Sequence, residues 1–91
     1  MAAVKLTIAG RVQGVGFRAF VEREATKRGV RGWVRNRRDG TVETLLIGEA
    51  AVVSEMEEAC RRGPRFAHVT SVARFEADDD GPSGFEQRPT D

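Results

Sequence analysis

Residues 4–11 alternate. Val4, Leu6 and Ile8 fall on one side and Lys5 and Thr7 on the other, the two-residue period of a strand with one buried face. The glycines at 14 and 16 make the following stretch unfit for a strand interior. From Phe17 the period lengthens. Phe17, Phe20, Val21 and Ala25 recur at helical spacing while Arg18, Glu22, Arg23 and Lys27 face elsewhere, which predicts an amphipathic helix over 17–28. Gly29 is placed as its left-handed cap. Residues 30–37, with Trp33 and Val34, read as a second strand, Arg38-Asp39-Gly40 as a hairpin turn and residues 41–47 as a third strand. A second helix is predicted over 49–62, with Val52, Val53, Met56, Ala59 and Cys60 as its apolar stripe. Arg61 and Arg62 suit the negative end of its dipole, and Gly63-Pro64 stops it. Residues 69–77 form a fourth strand of weaker pattern, and 78–84 a solvated loop. The polar composition of 85–88 leaves open whether they add a short fifth strand.

The order is β-α-β-β-α-β. It predicts an α+β fold, the ferredoxin-like split β-α-β sandwich: a four-stranded antiparallel sheet with two helices on one face. A right-handed helical crossover makes the first two strands run the same way. The glycine-rich loop after the first strand and residues 35–37 at the end of the second should therefore be neighbours in space.

Composition narrows the function classes. Ninety-one residues suit a single domain, 1–91. Fifteen basic and fourteen acidic side chains give a net charge of +1, which argues against a dedicated polyanion binder. One cysteine permits no internal disulfide and excludes a cysteine-rich metal site. No apolar run is long enough to span a membrane, and the N-terminus lacks the apolar stretch of a secretory signal. A cytoplasmic setting and a monomer are the expectations. Thirteen of the fifteen cations are Arg, the residue suited to bidentate oxyanion recognition. A compositional bias accounts for the surplus as a whole, so single arginines must be argued from position.

The approach to the first helix is where position speaks. Gln13-Gly14-Val15-Gly16 offers no short capping oxygen, so several backbone N–H groups lack an evident local acceptor. Glycines let that backbone curl toward a ligand, and a helix start of this kind suits an anion. Arg18 sits in the first turn, where the dipole disfavours a cation unless an anion lies beside it. The competing reading is a tight strand-to-helix turn with solvated amides. Asn36, near the end of the second strand, carries a carboxamide that can hold a water by both donor and acceptor. The competing reading makes it the cap of the 37–40 hairpin. Gly14 to Ala19 also matches G-x-G-x-x-G/A, but the chain is too short for a dinucleotide domain and no acidic residue stands about twenty positions on to hold a ribose.

Gly10-Arg11-Val12-Gln13-Gly14-Val15-Gly16-Phe17-Arg18, then Gly32-Trp33-Val34-Arg35-Asn36, then Asp39-Gly40-Thr41-Val42-Glu43 closely resemble the acylphosphatases. Both family signatures are present in order and at the family spacing. The resemblance implies an enzyme that hydrolyses small acyl phosphates to a carboxylate and inorganic phosphate, with no metal and no cofactor. It implies that Arg18 binds the phosphate and Asn36 orients the attacking water. The cradle then falls on Gln13, Gly14, Val15, Gly16 and Phe17. Arg38, in a turn position often smaller in relatives, and the polar segment 84–88 are departures.

The other reactive side chains have plainer readings. His68 follows the second helix, far along the chain from the loop, and Cys60 is a small core residue. Trp33 and Phe17 are expected in the core, and Asp78 to Asp80 solvated. Arg11, Arg35, Arg37 and Arg38 are expected to raise the local positive potential. Two alternatives stand beside the enzyme: a non-catalytic phosphate- or carbamoyl-phosphate-binding module on the same fold, and an RNA-binding domain. RNA-binding relatives of this fold stack bases on exposed sheet aromatics. With no Tyr and no aromatic pair at alternating strand positions, no nucleic-acid partner is expected.

Overall fold

A computed structural model describes all residues, Met1–Asp91. The elements are β1 (Ala2–Arg11), α1 (Phe17–Arg28), β2 (Arg31–Asn36), β3 (Val42–Gly48), α2 (Ala50–Arg62), β4 (His68–Glu76) and β5 (Phe85–Gln87). They form one sheet in the order β4-β1-β3-β2-β5. β3 lies antiparallel between β1 and β2, so those two strands share a direction and end at the same edge, as the crossover requires. The segment 85–87 is a fifth strand, and it pairs parallel to β2. The sheet is therefore mixed, with β2–β5 as its only parallel pair.

The period in β1 translates directly into packing. Val4, Leu6 and Ile8 are fully buried and face the helices together with Val34, Val42 and Leu46. Phe17, Phe20, Val21 and Ala25 of α1 and Val53, Met56, Ala59 and Cys60 of α2 close this core. Gly29 ends α1 in the left-handed region at φ +71°. Glu57 of α2 accepts a bond from Arg74 Nε at 2.9 Å, tying the helix to edge strand β4.

The opposite face of the sheet is not bare. β3 is buried along its whole length. Trp33, Leu45 and Ile47 make a second small cluster there, separate from the helical core. Trp33 is 6% exposed, as expected of a core residue, but it lies on the helix-free face. Lys5, Arg35 and Arg88 sit over its ring, at 5.6, 4.8 and 5.1 Å from the centroid. The 78–84 loop is more than a solvated connection. Arg31 grips Asp79 with both terminal nitrogens, at 3.0 and 3.2 Å, and donates to Pro82 O. This draws Gly81 down onto Ile47 and Leu45.

Candidate active site

The loop between β1 and α1 is built by its glycines. Gly14 and Gly16 have φ of +73° and +79°, and open space lies where a Cβ would stand at either. The left-handed backbone, rather than crowding, is what calls for glycine there. A register shift between Ala9 and Gly10 twists the end of β1 into this loop. α1 begins at a left-handed Gly16 with no side-chain cap and no acidic residue in its first turn. The N–H groups of Gln13, Gly14, Val15 and Gly16 donate to no backbone carbonyl. A cluster of free donors at the positive end of a helix is an anion-attracting surface.

Arg18 and Asn36 meet here. With Gly14, Gly16, Phe17 and Gln87 they line one hollow of about 150 Å³. A water's share of liquid volume is ~30 Å³, so the space suits a tetrahedral oxyanion. Side chains of a helix lean toward its N-terminus, which carries Arg18 back over the loop. Arg18 takes part in none of the ion pairs of the structure. Asn36 is half-buried at the end of β2. The hairpin beside it is capped by Asp39, whose carboxylate accepts from the Thr41 N–H at 2.9 Å and the Thr41 hydroxyl at 2.7 Å. Those bonds hold the exposed Asp39 carboxyl below its ordinary pKa, with the Thr41 hydroxyl as the largest cause.

The predicted cradle divides in two. Gly14, Gly16, Phe17 and Arg18 line the hollow. The side chains of Gln13 and Val15 point away from it. Val15 packs against the main core. Gln13 donates through Nε2 to Arg37 O at 2.7 Å and Thr41 O at 2.9 Å, lashing the loop to the base of the β2–β3 hairpin. What these two residues offer the hollow is main chain. Phe17 is 1% exposed and packs edge-on to Phe20, as a core residue should.

The surrounding charges differ from expectation. Arg35 and Arg37 share the buried Glu43, at 2.7 and 3.2 Å, and Arg35 also meets Asp91 at 3.5 Å, so much of their charge is balanced locally. Glu43 faces away from the helices, in register with Thr7 and Arg35. Arg11 and Arg38 are exposed and outside the ion pairs. His68 is distant from the loop in sequence but adjacent to its start in space, because β4 returns antiparallel and sets His68 opposite Arg11. The Cys60 thiol is pushed up to about 12, first by burial and then by the charge of Glu57, so it is a protonated core group and no nucleophile. Sequence reasoning missed three lining residues, Val12, Ala19 and Gln87, of which Gln87 alone comes from outside the β1–α1 segment. Its local pattern is that of a polar edge, and only the parallel pairing of β5 with β2 brings it beside the site.

A split β-α-β sandwich with an uncapped, arginine-bearing loop beside an asparagine defines a phosphate-handling class, and comparison with known proteins makes it particular. The acylphosphatase family model matches residues 4–87. An acylphosphatase of Acidiphilium cryptum (strain JF-5) is 47% identical over 90 residues, covering 99% of both chains. The crystal structure of acylphosphatase from Bacillus subtilis superposes with a TM-score of 0.92 at 40% identity, over 97% of this chain and 99% of that one. Full-length HypF, in a phosphate- and nucleotide-bound form, matches with a TM-score of 0.87 at 26% identity, over 99% of this chain and 12% of that one. The chain belongs to the acylphosphatase family. It is an enzyme of that family, with the ferredoxin-like fold its neighbours share.

Proposed function

We propose that this enzyme hydrolyses the carboxyl–phosphate bond of small acyl phosphates by in-line attack of a water that Asn36 orients on a phosphate that Arg18 holds. The observation that carries the reading is the convergence of Arg18, Asn36 and the uncapped loop on one hollow. The N–H groups of the loop and the Arg18 guanidinium neutralise the oxygens of the phosphoryl group as its charge redistributes in the transition state. Asn36 restricts the water to the face opposite the leaving group, which lowers the entropic part of the barrier. The leaving carboxylate is already a stable anion and needs little acid assistance. A phosphate oxygen of the substrate takes the water's proton, which leaves no protein base to be assigned. The enzyme acts as a monomer that needs no metal.

Acetyl phosphate assayed with a chelator present tests the reaction class. Steady hydrolysis is expected, and phosphate binding without turnover would favour the non-catalytic module instead. Arg18→Ala is expected to lose both turnover and inhibition by inorganic phosphate, with a rate loss of roughly a hundred- to thousandfold or more. Asn36→Ala is expected to lose about a hundredfold in kcat and to keep its phosphate affinity. A variant at Asn36 that binds phosphate weakly and turns over normally would overturn the assigned role. A steep basic limb in the pH–rate profile, arising from the protein, would overturn the substrate-assisted proton transfer.

A further inference from the structure

β5 brings a second carboxamide to the site. Gln87 pairs beside Val34, two residues before Asn36 and on the same face of the sheet. It lines the hollow with Arg18. Its Nε2 donates to Glu22 Oε1 at 2.8 Å. Glu22 stands four residues after Arg18 on α1, the spacing at which opposite charges on a helix meet and pair. It is the sole carboxylate within one turn of Arg18 on that helix. On the same helix Glu24 and Arg28 do pair at this spacing, at 2.8 Å. Arg18 and Glu22 do not, and the Glu22 carboxylate accepts from Gln87 of β5 instead.

We infer that Gln87 is a positioning residue for Arg18: it holds Glu22 against β5, removes the in-helix competitor for the guanidinium and leaves Arg18 free for the substrate phosphate. The inference rests on the reading of Arg18 as the phosphate ligand. An Arg18–Glu22 pair would have to open before each binding event, and the apparent affinity would fall by the fraction of molecules in which it is closed. A carboxylate swung toward the hollow would also repel the incoming anion.

The test is a double-mutant cycle read by inorganic phosphate affinity, with KM for acetyl phosphate as a second readout. Gln87→Met keeps the side-chain length and removes the donor, and the backbone pairing of β5 does not depend on it. In the chain with Glu22 this change is expected to weaken phosphate binding and raise KM by roughly two- to fivefold, the scale of an accessible helix ion pair. In the Glu22→Gln background the same change is expected to have no effect. A general loosening of β5 would weaken binding in both backgrounds and would overturn the inference. So would wild-type affinity for Gln87→Met while Arg18→Ala abolishes binding. If Arg18→Ala itself bound phosphate normally, the reading of the site would fall and the inference with it.

Discussion

Gln13 spends both hydrogens of its amide on the carbonyls of Arg37 and Thr41. The loop that would cradle a phosphate and the hairpin that follows Asn36 are thereby fixed to each other by one side chain, across 24 and 28 residues of sequence. Gln13→Met removes both donors and leaves the carbonyls of Arg37 and Thr41 with their backbone partners alone, the N–H groups of Gly40 and Arg37. A loss of about 1–3 kcal/mol of stability is expected from urea titration. A fall in kcat larger than the change in phosphate affinity is also expected, because the distance from loop to Asn36 is what slackens. A variant equal to wild type in both would show that the lashing is incidental. The role of this side chain was not legible in the sequence. Its acceptors are main-chain atoms of a distant turn, and no spacing rule points to them. That Arg18 and Asn36 would be neighbours was legible, because the topology brings the ends of β1 and β2 to one edge whatever the side chains do.

At the scale of elements, periodicity revealed the strands with one wet face and failed where both faces are covered. Val4, Leu6 and Ile8 announce the helix-facing side of β1. Leu45, Leu46 and Ile47 are all buried, and a continuous apolar run carries no facing information. The second cluster around Trp33 was invisible for that reason. So was its cover, since the bond from Arg31 to Asp79 joins residues 48 apart. This strap has a measurable consequence. Arg31→Ala is expected to free the 78–84 loop, wet the Trp33 cluster and shift tryptophan emission to the red, with little change in turnover because the hollow lies on the other face. An unchanged spectrum would mean that the loop is held by Gly81 packing against Ile47 rather than by Arg31. The segment 85–87 hid its pairing because a three-residue edge strand needs little apolar surface: its backbone bonds and the packing of Phe85 against the main core hold it.

Across the whole molecule, most of the sheet is stitched from far-apart segments. β4 joins β1 at the opposite end of the chain, and β3 enters between β1 and β2. Loop closure must precede the reward for such pairings, so folding slower than that of a helical bundle of this size is expected. The two halves of the candidate hollow lie on either side of β3, and that strand together with the Gln13 bonds sets their spacing. In refolding from urea, the return of hydrolysis is expected to coincide with the return of native Trp33 fluorescence. Activity appearing well before the emission settles would contradict this dependence. The insertion of a strand between the two half-sites thus makes turnover a clock: the first molecule of product reports that the middle of the sheet has closed.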